Sequence, residues 1–176
     1  MSERTVKKGV LPFLKGGIAQ VALVVEDLDA AVENYWRLCG IGPWHFYTYE
    51  APLLKRMTYM GEPVKYSIRL ALSYVGALRI ELIQYRSGPT IYRDFLLKKG
   101  FGVHHFGLLV DDMQEAIRQA EASGYKVIQD GTGFGLDGDG HFAYLDTEDE
   151  LGITLELIQR PKGRVQPEKI YPPPEV

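Results

Sequence analysis

Cysteine is almost absent from this chain, because Cys39 is the only one among 176 residues. An internal disulfide is therefore impossible, and a zinc site built from several thiolates is excluded as well. A free cysteine usually behaves as a small apolar side chain, so we predict that Cys39 packs in the core.

The chain also lacks an excess of basic charge and any long apolar run. Its formal net charge is −3, which disfavours binding to nucleic acid. No run approaches the ~20 apolar residues of a membrane-spanning helix, and the N-terminal segment lacks the apolar core of a signal peptide. We therefore expect a cytoplasmic protein whose partner is neither nucleic acid nor a membrane.

What the sequence does contain is an internal duplication. The tetrapeptide Glu-Leu-Ile-Gln occurs at residues 81–84 and again at residues 156–159. Each half also begins alike, with Gln20-Val-Ala-Leu-Val-Val-Glu-Asp in the first and His105-Phe-Gly-Leu-Leu-Val-Asp-Asp in the second, and a helical pattern follows both. Two copies of one β-α-β-β-β unit account for this repeat. We predict an α+β fold in which helices cover one side of a mixed sheet.

The repeat divides the chain into five predicted segments. They are an N-terminal extension (residues 1–16), a first β-α-β-β-β module (17–86), a linker with a short helix (87–101), a second module (102–161) and a proline-rich tail (162–176). The tail shows no hydrophobic periodicity, so we expect it either to lie over the surface or to be disordered.

Local signals place several boundaries inside the modules. Asp29 is predicted to cap the first helix, and Gly40 is predicted to end it. The glycine-rich run from 131 to 140 fits neither a phosphate-binding loop nor a dinucleotide fingerprint, because no helix and no Lys-Ser or Lys-Thr pair follows it. We interpret this run as a mobile loop at the rim of the sheet.

Strand alternation places one glutamate of each half on the same side of the sheet. Glu81 and Glu156 each lie on the strand face opposite two flanking apolar residues, which are expected to pack against the helices. Gln20 and His105 occupy equivalent positions at the start of the two halves. A twofold relation between the modules would bring all four side chains to one place.

Any one of these four residues is most simply explained as a solvated or hydrogen-bonded polar side chain. Four such residues in duplicated register favour a common role. Glu156 also lies in the nearly apolar run Leu155-Glu-Leu-Ile, where an unpaired carboxylate would be costly. Three oxygen donors and one imidazole are typical ligands of a divalent metal ion, and we predict a metal site formed by Gln20, Glu81, His105 and Glu156.

Longer motifs in the chain are similar to those of the vicinal oxygen chelate superfamily, which includes glyoxalases, bleomycin-resistance proteins and extradiol dioxygenases. The similarity extends over residues 17–161. The matching motifs are Ile18-Ala-Gln-Val-Ala-Leu-Val-Val, Leu78-Arg-Ile-Glu-Leu-Ile, Gly102-Val-His-His-Phe-Gly-Leu-Leu-Val-Asp-Asp and Gly152-Ile-Thr-Leu-Glu-Leu-Ile-Gln.

This resemblance implies a fold and a site. The two modules would be related by a pseudo-twofold axis and would form an open, cup-shaped mixed sheet. The positions that bind the metal in the family correspond to Gln20, Glu81, His105 and Glu156, so one divalent metal ion is the expected cofactor. A homodimer is the expected assembly.

Within the superfamily, the Gly-Val-His-His-Phe and Thr-Leu-Glu-Leu segments are most similar to methylmalonyl-CoA epimerases. These enzymes usually have His in place of Gln20 and Gln in place of Glu81. They also carry a second carboxylate base on the third strand, whereas residues 67–74 contain no acid. The resemblance therefore implies a metal-dependent epimerase or isomerase that moves a proton at a carbon next to a carbonyl. A carboxylate beside that carbon can take and return the proton, and we expect Glu156 to be this base and Glu81 to be the candidate for the opposite face.

Two other functions remain open from the sequence. The first is a glyoxalase-like lyase with a substrate other than a glutathione adduct, because the positions of the glutathione-binding arginines hold Val24 and Phe101. The second is a binding protein without catalytic activity, like the bleomycin-resistance proteins. A dioxygenase is disfavoured, since its iron site requires two histidines and the quartet contains one.

The identity of the metal and of the substrate is less constrained. Gln, Glu and His ligands suit zinc, cobalt, nickel, manganese or magnesium to differing degrees. An acyl-CoA substrate would need basic residues near the rim of the cup. Lys55, Arg56, Lys98 and Lys99 are the candidates for that role.

Overall fold

The structure is a computed structural model that describes residues 8–174. Its strands are β1 (Gln20–Val24), β2 (Trp44–Tyr49), β3 (Arg56–Tyr59), β4 (Glu62–Pro63), β5 (Ser67–Val75), β6 (Leu78–Ser87), β7 (Gly102–Leu109), β8 (Val127–Phe134), β9 (Gly140–Leu145), β10 (Thr154–Gln159) and β11 (Lys169–Tyr171). The α-helices are α1 (Leu28–Cys39), α2 (Ile91–Lys99), α3 (Met113–Ala122) and α4 (Glu148–Leu151), and a short 3-10 helix spans Pro12–Gly16.

These strands form one curled sheet in the order β11-β2-β5-β6-β1-β7-β10-β9-β8-β3-β4. At its centre β1 pairs antiparallel with β7, and β6 and β10 lie parallel to them on either side. The order β2-β5-β6-β1 in one half therefore repeats as β8-β9-β10-β7 in the other. This confirms the prediction of two β-α-β-β-β modules in pseudo-twofold arrangement, joined into an open half-barrel.

The helices α1 and α3 cover the convex face of the sheet. Leu28 and Val32 of α1 pack against Leu82 of β6, and α3 packs in the same way against β9 and β10. Each fully buried leucine or valine contributes ~1.5–3 kcal/mol relative to an exposed one, so this apolar face fixes the strand register. Within residues 8–174, none of the helices is long and apolar enough to cross a bilayer.

The first helix differs from the prediction at its start. Asp27, and not Asp29, is the N-cap, and its carboxylate accepts a hydrogen bond of 3.0 Å from a backbone N–H of the first turn. Asp29 lies inside the helix, where its carboxylate pairs with Arg69 and Lys169. The prediction failed because both aspartates lie next to the first helical residue, and only one has an extended backbone. Gly40 ends the helix with φ 67°, as predicted.

Cys39 is exposed at the end of α1, so the prediction that it packs in the core is wrong. The helix buries Leu28 and Val32, which both lie in its first half. All residues of its last turn, 36–39, are exposed, including the apolar Leu38. Helical periodicity identifies the face of a helix but does not show how far along that face the sheet extends.

Two short strands each pair with a strand from the other half of the chain, and neither was predicted. The strand β3 follows β2 in the chain, yet it pairs with β8 at the far edge of the second module. The strand β11 belongs to the tail, yet it pairs with β2 at the edge of the first module. The described part of the tail therefore lies against the sheet, which is one of the two alternatives expected for it. Both outer edges are covered by a segment from the other half of the chain.

The glycine-rich run is only partly a loop. Its first four residues, 131–134, belong to β8, and its last residue, Gly140, begins β9, so the expectation of a loop from 131 to 140 is wrong at both ends. The ring of Phe142 lies against the backbone of Gly131, where any Cβ would overlap it. Glycine is thus required in this strand for the close approach of an aromatic ring, which a sequence pattern does not distinguish from a flexible turn.

Candidate metal centre

Strand register brings the four predicted site residues together on the concave face. Gln20 of β1 lies opposite Gly107 of β7, and Glu156 of β10 lies on the other side of the same glycine. The twofold equivalents of these two side chains are His105 and Glu81, which flank one residue of β1 in the same way. The pseudo-twofold axis runs through the cluster, which explains why one pattern appears twice in the sequence.

The four side chains form a compact, buried polar cluster. The His105 Nε2 atom lies 3.4 Å from Glu81 Oε2 and 3.1 Å from Glu156 Oε2. Gln20 Nε2 donates hydrogen bonds of 2.9 and 2.8 Å to the same two oxygens, and it lies 3.2 Å from His105 Nε2. All four residues are buried, from 0% exposed for His105 to 8% for Glu81.

The two carboxylates change the charge state of the histidine. Burial alone lowers the pKa of His105, but the charges of Glu156 and Glu81 and their hydrogen bonds outweigh burial and raise that pKa to about 9. A proton on His105 therefore offsets part of the negative charge when no other cation is bound. The two carboxylates of the cluster therefore favour the binding of a positive charge, either a proton on His105 or another cation.

The distances within the cluster suit a divalent metal ion. Ligand atoms around an ion with bonds of ~2.1 Å lie ~3.0–3.4 Å apart in octahedral or tetrahedral geometry. The separations of 3.1 and 3.4 Å from His105 Nε2 to the two carboxylates fall in this range. Donor atoms of Glu81, His105 and Glu156 also lie within 4.8 Å of one another. These three residues fit a divalent ion.

Gln20 fits the metal less directly because its amide oxygen is already engaged. Its Oε1 accepts a hydrogen bond of 2.5 Å from Arg79 Nε, while its Nε2 faces the carboxylates. Reversing the amide would turn Gln20 Oε1 toward the metal. It would also point the Gln20 Nε2 donor at the Nε donor of Arg79, so no hydrogen bond could form between them. Gln20 can complete the ligand set only if it gives up its contact with Arg79.

His104 supports the neighbouring histidine, a role that sequence reasoning missed. The Nδ1 atoms of His104 and His105 lie 2.9 Å apart, so one ring must donate to the other. Burial and the charge of His105 hold the pKa of His104 well below its usual value, which makes it the neutral acceptor. His105 then carries its proton on Nδ1 and leaves Nε2 available for a metal. The only signal in the sequence is the His-His pair itself.

Gly107 provides the space for the cluster and was also missed. A Cβ at this position would lie 2.8 Å from Gln20 Cβ, 2.6 Å from Ile158 Cδ1 and 3.2 Å from Glu156 Oε2. A larger residue would push the carboxylate of Glu156 out of place. A glycine in the interior of a strand signals such a close approach.

Little empty space remains beside the cluster. A cavity of about 20 Å³ adjoins it, lined by Arg79, Glu81, Glu156, Phe134 and Arg164 among others. That volume suits a water molecule or a small group. A second cavity of about 220 Å³ shares Leu72 and Arg164 with the first and opens beside His45, Tyr47 and Tyr74. The tail residue Arg164 therefore stands between a larger outer cavity and the buried cluster.

Comparison with models of protein families shows to which superfamily the chain belongs. The model of the Glyoxalase/Bleomycin resistance protein/Dioxygenase superfamily matches residues 19–144. The chain belongs to this superfamily. The resemblance found in its motifs is thereby confirmed. Comparison with curated protein sequences gave no match.

Solved structures with the same fold include several methylmalonyl-CoA epimerases. The enzyme from Mycobacterium tuberculosis has a TM-score of 0.61 and 23% identity, over 83% of this chain and 89% of that one. A variant of the Streptomyces coelicolor enzyme has a TM-score of 0.62 and 22% identity, over 84% and 96% of the two chains. A hypothetical protein from Bacillus halodurans has a TM-score of 0.59 and 18% identity, over 85% and 97%. At these identities the similarity shows the fold.

Proposed function

We propose that this protein is a metal-dependent epimerase or isomerase that transfers a proton at a carbon next to a carbonyl group. The observation that carries the proposal is the convergence of Glu81 and Glu156 on His105 in a buried cluster beside a cavity. Two carboxylates and one imidazole can both hold a cation and exchange a proton. The similarity in fold to methylmalonyl-CoA epimerases supports the same reading.

The proposed metal ligands are Glu81, His105 and Glu156, with Gln20 as a fourth after reversal of its amide. A divalent ion held there would polarise a substrate carbonyl and stabilise an adjacent enolate. The ligand types are compatible with zinc, cobalt, nickel, manganese or magnesium. The chain itself supplies a buried site, from which bulk water is largely excluded.

Proton transfer is assigned to the two glutamates. In each, Oε2 faces His105 and Gln20, and Oε1 makes no hydrogen bond with the residues that the structure describes. Both side chains line the small cavity, so an Oε1 atom can reach a bound substrate. Glu156 would take the proton. Return of a proton from Glu81 on the other side would give epimerisation, and return to the neighbouring carbon would give isomerisation.

An acyl-CoA is a candidate substrate class. Among the similar structures, one methylmalonyl-CoA epimerase is bound to methylmalonyl-CoA and NH4+, and the Streptomyces variant is bound to 2-nitronate-propionyl-CoA. Three of the basic residues proposed for the rim form ion pairs with acids of the chain: Arg56 with Asp130, and Lys98 and Lys99 with Glu148.

The homodimer that the family resemblance implies also remains a prediction.

The test is exchange of a substrate proton with solvent. Metal-loaded and metal-stripped protein would be incubated in D₂O with small acyl-CoA thioesters, and deuterium at the carbon next to the carbonyl would be followed by NMR. The proposal predicts exchange that requires metal. Metal-bound protein without exchange into acyl-CoA thioesters, but with conversion of a hemithioacetal into a thioester, would support the glyoxalase-like function instead. Tight binding of a small molecule with neither reaction would support a binding protein.

A further inference from the structure

The amide of Gln20 lies between two kinds of group that together fix its direction. On one side, Nε2 lies 2.9 and 2.8 Å from the Oε2 atoms of Glu81 and Glu156, and an ionised carboxylate only accepts hydrogen bonds. On the other side, Oε1 lies 2.5 Å from Arg79 Nε, which only donates. A reversed amide would turn its oxygen toward the two carboxylates and its N–H groups toward the guanidinium. This network therefore holds the amide nitrogen toward the cluster.

The same nitrogen lies where a fourth metal ligand would be expected. Besides its contacts of 2.9 and 2.8 Å with the two carboxylates, Gln20 Nε2 lies 3.2 Å from His105 Nε2. These separations are close to the ~3.0–3.4 Å between atoms that share one divalent ion. An amide nitrogen carries two hydrogens and is only a donor, whereas an amide oxygen can bind a metal. Gln20 can therefore bind an ion only after its oxygen and nitrogen have exchanged places.

Arg79 opposes this exchange. Strand register places it directly beside Gln20, because the two residues are Cα partners in the pair of β1 and β6. The residue is 4% exposed, and within residues 8–174 its buried Nη1 atom has no hydrogen-bond partner. Loss of the bond from Nε to Gln20 would leave this buried cation still less satisfied, which is costly.

The second module has no such restraint. The pair equivalent to Gln20 and Arg79 is His105 and Thr154, which are Cα partners in β7 and β10. Thr154 carries no charge, and His105 keeps its Nε2 atom 3.1 Å from Glu156 Oε2. The sheet thus accepts a neutral side chain at this position, so the fold itself does not require Arg79.

We infer that Arg79 is a positioning residue that keeps the amide oxygen of Gln20 away from the metal centre and thereby lowers the affinity of the protein for metal. This inference rests on the ligand set of the proposed function. Gln20 Oε1 cannot face Arg79 and the cluster at the same time. A bond from Gln20 to the metal therefore breaks the hydrogen bond with Arg79, and the free energy of that hydrogen bond opposes metal binding.

The test is a double-mutant cycle on zinc affinity. Full-length wild type, Arg79→Met, Gln20→Ala and the double variant would be titrated with zinc in competition with a chelator. Removal of a nearby cation raises zinc affinity by charge alone, with or without Gln20. We expect Arg79→Met to raise the affinity at least ~10-fold more when Gln20 is present, because a hydrogen bond to a charged group has a net effect of that order. Equal effects of Arg79→Met in the two backgrounds would overturn the inference.

A control variant and a second measurement complete the test. Arg86→Met removes the same charge from an exposed position on β6 and should leave the zinc affinity nearly unchanged, because salt screens an exposed charge. If Arg79→Met does not fold, NMR of the wild type decides. Without zinc, nuclear Overhauser contacts should join the Gln20 amide protons to the ring protons of His105. With zinc, they should join the same amide protons to Arg79 Nε–H, and contacts to His105 that persist would overturn the inference.

Proton exchange measured on the same samples separates this inference from the proposed function. Zinc-dependent exchange together with equal effects in the two backgrounds would reject the role of Arg79 and leave the proposed function standing. The expected difference between backgrounds, in a protein that exchanges no proton, would support the role of Arg79 and reject the proposed function. A wild type and variants that bind no zinc would overturn both.

Discussion

The two modules share strand order and register but differ beside the residues that they contribute to the cluster. Glu81 and Glu156 occupy equivalent positions, as do Gln20 and His105. Two positions before each glutamate, however, the first module has the charged Arg79 and the second has a neutral threonine. The positions that carry similar polar residues in both modules form the cluster. The positions that differ between the modules determine which groups surround it.

The surroundings of the two halves differ as well. In the second module, Tyr92 and Phe95 of α2 pack on His104, with ring centroids 5.1 and 5.0 Å from that of the imidazole. The twofold equivalent of His104 in the first module is the small Ala19. In that module the tail residue Arg164 lines a cavity together with Leu72 and Glu81. One side is therefore aromatic and closed by a helix, and the other is cationic and reached through a cavity.

The difference shows how a duplicated fold can serve a substrate without symmetry. A carbon acid has one carbonyl and one reacting carbon. Equivalent glutamates from the two modules can approach the reacting carbon from two sides. The unequal neighbours then fix which end of the substrate lies on which side.

The largest expected effect tests whether Glu156 is the base. Glu156→Gln keeps an oxygen that can bind a metal but removes the basic carboxylate, so proton exchange should fall by ~10²–10⁴-fold. The measurement is the exchange rate in D₂O at equal metal content. Glu121→Gln, on the exposed face of α3, is the matched control. Unchanged exchange in Glu156→Gln would reject this residue as the base.

The next effect tests the close approach at Gly107. Gly107→Ala places a Cβ against Gln20, Ile158 and Glu156, so the free energy of unfolding should fall by ~1–3 kcal/mol. Denaturant unfolding of the metal-free protein measures this change. Gly16→Ala is the control, because a Cβ there meets no atom within 4 Å. Equal stability of the two variants would show that the cluster has room for a Cβ at residue 107, contrary to the structure.

A smaller effect tests the support that His104 gives to His105. His104→Ala removes the acceptor of the His105 Nδ1 proton, and metal affinity should fall by ~10–100-fold. His104→Asn can place an oxygen near the same point and should retain more of the affinity. Competition with a chelator measures both constants. If the two variants bind metal equally, His104 does not orient the ligand.

The last effect concerns pH, is the smallest per unit step, and uses the fact that only one of the twofold pair Gln20 and His105 titrates. Because the pKa of His105 is about 9 in the metal-free fold, metal must displace one proton below that pH. Metal affinity should rise ~10-fold per pH unit between pH 6.5 and 9. Stability from protonated His105 is complete below pH 6.5 and is lost as pH rises through 9, so metal-free protein should unfold more easily across that range. A pH-independent affinity would contradict the assignment of His105.

The sequence predicted those features that depend on local order along one strand. The repeat of Glu-Leu-Ile-Gln fixed the register of β6 and β10, and the alternation of faces then placed Glu81 and Glu156 together. The strands β3 and β11 were not predicted, because each is short and pairs with a strand from the other half. Alternation along β6 also accounts for the position of Arg79 on the same face as Glu81. The strand pattern does not show whether Gln20 turns its amide oxygen or its amide nitrogen toward Arg79.

The most direct test of the central claim is the metal content of the purified protein. Protein expressed with mixed divalent metals would be analysed by mass spectrometry beside Glu81→Ala, His105→Ala and Glu156→Ala. The account predicts close to one divalent ion per chain in the wild type and loss of that ion in each variant. A wild type without metal, or variants that keep it, would contradict the claim that the two modules together form a metal centre.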